Sequence, residues 1–200
     1  GYEDWEHYNR HNNINTQLSE WKELRGKYHR MSEINISEIK NRIHFIYEQM
    51  PCRSFAEETL KRFLSSEKNF TAFIAPGGYG KTVTLAKIAE KFWLNKECIF
   101  PDDILFLSDC SKYKFIDTAI ANVENDFIGS LFSYKPEINP GMTFNGLQEK
   151  IEGRFILALI GLDQLFQQKK DRNDFLEWFI SLLACNDEFS WFKTILSCRP

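Results

Sequence analysis

Along the first fifty positions, apolar residues recur at roughly helical intervals within a polar, charged background: Trp5, Leu18, Trp21, Leu24, Ile36, Ile39, Ile43 and Ile46. This spacing predicts two or three helices over residues 1–50, and no glycine-rich or low-complexity linker separates them from the rest of the chain. After Pro51 the spacing predicts another helix over 55–64. The pattern then changes. Phe70-Thr-Ala-Phe-Ile74 is a short, β-rich apolar run, whereas residues 81–92 place Leu85, Ile88, Ala89 and Phe92 on one helical face. Asp102-Asp103 precede a second strand-like run at 104–107, and a helical pattern returns over 115–132. Residues 136–146, rich in Pro, Asn and Gly, read as a loop. Phe155 to Leu162 is a continuous apolar run, as a strand buried on both faces requires. An amphipathic helix over 174–185 and a last strand over 193–198 complete the series. Strands alternating with helices predict an α/β fold built on a parallel sheet flanked by helices.

Composition narrows the function without naming it. Two hundred residues suit one α/β domain, here 51–200, preceded by a helical N-terminal segment or linker, 1–50. A net charge of −3 gives no strong nucleic-acid signal. No apolar run approaches the roughly 18–20 residues of a membrane span, so no membrane partner is expected. The five cysteines are dispersed, with no Cys-x-x-Cys pair, which suits reduced thiols in the cytoplasm. His7 and His11 share a helix face, but Tyr8 stands where a zinc-protease helix carries Glu, so they read as surface histidines. Residues 167–172 read as a solvated loop, and Trp178 and Trp191 as core residues, because basic residues are not interleaved in excess.

The chemistry concentrates at residues 75–82, Ala-Pro-Gly-Gly-Tyr-Gly-Lys-Thr, between the first strand-like run and its helix. Strand, glycine-rich loop, then Gly-Lys-Thr opening a helix is the arrangement a phosphate-binding loop needs. Glycines let successive backbone N–H groups curl around an anion, and the helix N-terminus adds unpaired donors and a positive dipole end. Pro76, Gly77, Gly78, Tyr79, Gly80, Lys81, Thr82 and Val83 are therefore the expected nucleotide-binding residues. Lys81 would reach the β- and γ-phosphates, and the Thr82 hydroxyl would ligate Mg²⁺. Ala75 occupies the place of the motif's usual first glycine. Such a site also needs a carboxylate at the end of a neighbouring strand, and Asp163, after the 155–162 run, is the only good candidate. An acid there is equally a common helix N-cap; the phosphate loop some eighty residues earlier gives it weight.

Taken in order, Pro51-Cys-Arg53, the loop at 75–82, Leu159-Ile-Gly-Leu-Asp-Gln-Leu165 and Lys193-Thr-Ile-Leu-Ser-Cys-Arg-Pro200 resemble a STAND-type P-loop NTPase of the NACHT group. The resemblance covers about residues 50–200. It implies a P-loop NTPase sheet and an ATP/ADP-operated switch with Mg²⁺, hydrolysing ATP slowly and forming a homo-oligomer on activation. Members of that group serve innate immunity and bacterial antiphage defence, so a role in defence signalling is implied too. It places Arg53 near the adenine or ribose and makes Arg199 the residue that senses the γ-phosphate. On physical grounds alone, Arg199 is a cation at a strand end. Relatives continue past the fourth strand into a helical lid and a winged-helix domain, so the resemblance implies a core truncated at its C-terminus, with a protein trigger acting through the missing region.

One departure stands out. The family's magnesium-binding Asp typically lies three residues before the second acid, and this chain has Ile160 there; Gln164 stands where many relatives carry a catalytic Glu. Isoleucine cannot hold a metal water, and a neutral Gln is a poor general base. Either Asp163 takes over the metal role, with Lys81, Asp163, Gln164 and Arg199 as the catalytic set, or the domain binds nucleotide and hydrolyses it slowly or not at all. Slow turnover suits a switch. Two alternatives stay open: an AAA-type motor, which predicts robust turnover, and a degenerate nucleotide-binding scaffold without hydrolysis.

Overall fold

The computed structural model describes the backbone of residues 2–110, 153–162, 187 and 189–200, and the side chains of those from 22 onward. The helices expected over 115–132 and 174–185, the loops at 136–146 and 167–172, Trp178, and the side chains of Trp5, His7, His11, Leu18 and Trp21 lie outside the described residues. So do Asp163 and Gln164.

Among the described residues four strands, β1 (Phe70–Ile74), β2 (Ile104–Asp109), β3 (Phe155–Ile160) and β4 (Phe192–Cys198), form one sheet in the order β1-β4-β3-β2. Every pairing is parallel. The class is therefore α/β. All residues of β2 and β3 are buried, which accounts for their unbroken apolar sequences: a parallel strand covered on both faces has no solvent side to mark with polar residues. At the sheet's other edge, β1 leaves Ala72 and Ile74 exposed.

The N-terminal segment forms helix α1 (Tyr2–Arg42) and the short helix α2 (His44–Gln49), parted at Ile43. α1 packs against β2 and bonds backbone groups of Leu105 and Leu107 with its side chains. The Leu105 N–H donates to His29 Nε2 at 3.1 Å, and the Leu107 N–H donates to Ser32 Oγ at 2.8 Å. Ser32 Oγ also stands 3.1 Å from the Leu105 carbonyl and 3.0 Å from its own helix's Tyr28 carbonyl, so its one proton is shared between them. Asn35 Nδ2 donates to the Leu107 carbonyl at 2.8 Å. Residues 29, 32 and 35, three apart on a helix, thus bond strand backbone groups as a neighbouring strand would. Ile36 and Ile39 enter the core, while Tyr28 packs edge-on against Phe155, ring centroids 5.0 Å apart.

Helix α3 (Ser54–Leu64) and helix α4 (Lys81–Ala89) cover one face of the sheet. Leu60, Phe63 and Leu64 of α3 share a core with Val83, Leu85 and Ile88 of α4 and with Leu105, Leu107, Ile156 and Ile195 of the strands. Beyond Ala89 the helix widens into a π-helical turn, Glu90–Leu94, in which the Asn95 N–H donates to the Glu90 carbonyl at 2.8 Å. The wider turn buries the neighbours Phe92 and Trp93 together, a placement the 3.6-residue spacing that predicts a helix to residue 92 does not provide.

The clasp of α1 on β2 has a pH dependence. Burial, followed by the charge of nearby Arg25, pushes the His29 imidazole down from its ordinary value to about 4. Between that value and about 6.5 the unfolded chain binds a proton that the folded chain refuses, so stability falls with acid across this window. Protonation also removes the Nε2 lone pair that accepts from Leu105. Allowing for the ring's partial exposure, the loss between pH 7 and pH 4 should be about 2 kcal/mol. Urea unfolding of the native chain and of His29→Gln should therefore converge as the pH falls; parallel curves would show that His29 is not responsible.

Candidate functional site

Parallel topology gathers the carboxyl ends of all four strands along one edge, and open sheets of this kind bind ligands outside those ends. Residues 75–80 connect β1 to α4 there. Gly78 and Gly80 have φ of 80° and 72°, in the left-handed region that a side chain would strain. Gly80 is the N-cap of α4, so the loop turns directly into the helix and aims the helix's first N–H groups back toward itself. The Lys81 ammonium folds over the loop and donates to the carbonyls of Ala75 and of Pro76, the latter at 2.9 Å. Its three donors are thereby held beside the same concave backbone. Thr82 and Val83 both line the cleft, Val83 as a buried side chain. Pro76 and Tyr79 face outward, Tyr79 with 56 % of its surface exposed.

Arg199 follows β4, and the pairing of β4 with β1 carries it to the loop. A methyl group on the Gly77 Cα would stand 3.6 Å from both Cζ and Nε of the Arg199 guanidinium. Two cations separated by 118 positions in the chain, Lys81 and Arg199, therefore flank one cleft of ≈ 220 Å³. They are the only charged side chains among its described lining residues. Gly161, which follows β3, and Ser197 line it as well. Arg53 does not; it is the exposed N-cap of α3.

Ile160, at the end of β3, is buried and stands in register between Ser197 of β4 and Asp109 of β2. The apolar run expected to reach Leu162 forms a strand only to Ile160, because Gly161 leaves it at φ 70°. The strand expected at 104–107 runs two residues further and ends on Asp109, whose buried carboxylate pairs with Arg42 at the end of α1. A carboxylate thus lies one strand away from the place that Ile160 occupies. Among the described residues no group of three or more His, Cys, Asp or Glu could hold a metal by itself. Cys52, Cys98, Cys110 and Cys198 are not in disulfides. No described helix is long and apolar enough to cross a membrane.

Sequence spacing did not reveal the cleft's other wall. Ile43 and Ile46, periodic helix residues by their spacing, line the cleft together with the glycines. The α1–α2 break at Ile43, with φ −133° and ψ 36°, turns the chain so that both reach it. The Met50 side chain covers Gly80, its Cε and Sδ filling the space that a Cβ would need. Lys87 of α4 donates to the Met50 carbonyl at 2.5 Å.

Compared with known proteins, the chain matches no family model, and no curated protein or solved structure is significantly similar to it.

Proposed function

We propose that this chain binds ATP or ADP with Mg²⁺ at the 75–82 loop and acts as the nucleotide-switch domain of a STAND-type, NACHT-like signalling NTPase. The observation that carries this is the meeting of Lys81 and Arg199 at a positive-φ glycine loop that opens directly into α4. Backbone N–H groups, a helix N-terminus and two cations converge on one small volume, which is chemistry for a polyphosphate. The strand order adds support, since β4 lies between the loop strand β1 and β3, the strand that leads to Asp163. This is the arrangement of P-loop ATPases that insert a strand between their two motifs.

On this proposal the loop amides and Lys81 hold the β- and γ-phosphates, Arg199 reads the γ-phosphate, and Thr82 with Asp163 holds the metal. Mg²⁺ would neutralise the phosphate oxygens on which charge develops during transfer. Nucleotide state then biases a closed monomer against an oligomer-forming state, in defence signalling and in response to a protein trigger. The buried Ile160 favours slow hydrolysis, or none, over motor-like turnover.

Chromatography of the nucleotide released when the purified protein is denatured tests the assignment: ATP or ADP at near-stoichiometric amount is expected. A preparation that neither carries nor takes up an adenine nucleotide overturns it. Restoring an acid with Ile160→Asp should raise ATP turnover about 100-fold, the lower end of the range typical for one catalytic group. High native turnover, unchanged by the substitution, would instead indicate a motor.

A further inference from the structure

A loop built on Gly77, Gly78 and Gly80 has much backbone freedom to lose when it closes on a ligand, because glycine loses more on ordering than any other residue. We propose that Met50 is the positioning residue of this loop: its side chain, seated on Gly80, holds the left-handed turn that aims the first N–H groups of α4 at a bound phosphate. The proposal rests on the nucleotide assignment above and adds to it a residue that acts on the ligand through the loop.

The placement of Met50 begins in the sequence. Pro51 disfavours helical geometry at the residue before it, so α2 stops at Gln49 and Met50 is extended, with φ −80° and ψ 117°. Backbone bonds fix it there. Its N–H donates to the Ile46 carbonyl at 3.0 Å, and its carbonyl accepts from Lys87 Nζ at 2.5 Å. The side chain packs half-buried against the core and reaches Gly80, where a Cβ would stand 2.6 Å from Sδ and closer still to Cε. Gly80 therefore meets two demands, a φ of 72° and the absence of a Cβ, and the second exists because Met50 occupies that space. The other two glycines have no such support. A Cβ on Gly77 would stand 3.6 Å from the Arg199 guanidinium, and one on Gly78 would meet nothing within 4 Å. On the nucleotide assignment Arg199 and Lys81 turn to phosphate oxygens when a ligand binds, so neither holds the empty and the filled loop alike. Met50 is not among the described residues that line the cleft, so its contact with Gly80 does not compete with a ligand. A brace of this kind lowers the ordering cost that binding otherwise carries.

Parallel titrations of magnesium tripolyphosphate and of Mg·ATP into the native chain, Met50→Ala and Met50→Leu test the brace, at a temperature where thermal unfolding shows every variant folded. Without the side chain the competent loop becomes a minority conformation. Both affinities should then fall together in Met50→Ala, by about tenfold if that population drops to about one tenth. Met50→Leu, an apolar side chain of similar volume, should restore most of the loss for both ligands. If Met50→Ala binds both ligands as the native chain does, Met50 does not position the loop, while the nucleotide assignment stands. A loss confined to ATP also overturns the brace, because it places Met50 against the nucleoside. If the native chain binds neither ligand, the nucleotide assignment fails and the brace falls with it.

Discussion

Asp103→Ala should destabilise the fold by about 3–5 kcal/mol, the range expected when one partner of a buried ion pair is removed. Asp103 immediately precedes β2 and is 4 % exposed. One carboxylate oxygen accepts from the Arg154 backbone N–H and from its Nε, both at 3.0 Å. The other accepts from Arg154 Nη2 at 2.7 Å and from the Trp93 indole at 3.2 Å. Arg154 in turn donates to the Leu64 carbonyl and lies over the Phe100 ring at 4.8 Å. One carboxylate therefore joins the π-helical turn, the start of β3 and the end of α3. Its loss strands a guanidinium, an indole N–H and a backbone N–H that water reaches poorly, and each orphaned donor costs about 1–3 kcal/mol. With about 2–4 °C per kcal/mol for a chain of this size, the midpoint of thermal unfolding should fall by roughly 6–20 °C. Asp103→Asn keeps one acceptor and should lose less. A midpoint within about 2 °C of the native value would show that this network does not hold the sheet to its helices.

Lys81→Ala should lower affinity for Mg·ATP roughly 100-fold, the equivalent of one or two charge-assisted hydrogen bonds. In the structure its ammonium is held by the carbonyls of Ala75 and Pro76, acceptors that lie in the loop itself. A phosphate entering the loop meets a cation already positioned, with little side-chain entropy left to lose. The bond to the Pro76 carbonyl is exposed, so water can replace the lysine there, and stability should change by less than about 1 kcal/mol. Loss of affinity without loss of stability is the pattern expected of a binding residue. Lys81→Arg should restore affinity only in part, because a planar fork does not reproduce a compact ammonium.

The strands and the loop were largely legible because their signals are local. An apolar run such as Phe155–Ile160 has few alternatives to a buried strand, and Gly78 and Gly80 stand where the turn into α4 needs positive φ. What sequence concealed depends on distant partners. His29, Ser32 and Asn35 look like the solvated face of a polar helix, yet their partners are Leu105 and Leu107, more than seventy positions away. Asp103 looks like a loop acid until Arg154 is placed beside it. At the site, Arg199 could be named from its motif, but its approach to Gly77 depends on the β4–β1 pairing. Ile43 and Ile46 showed helical spacing, and only the break at Ile43 turns them toward the loop. The widening after Ala89 has no periodic signature, because it serves the packing of Phe92 and Trp93.

The most direct test of the central claim is a calorimetric titration of Mg·ATP into the native chain and into Lys81→Ala at matched ionic strength. Saturable one-to-one binding by the native chain, weakened about 100-fold in Lys81→Ala at unchanged thermal stability, is the predicted result. Native binding that Lys81→Ala leaves intact, or no binding by a correctly folded native chain, would contradict the assignment of the 75–82 loop as a nucleotide site.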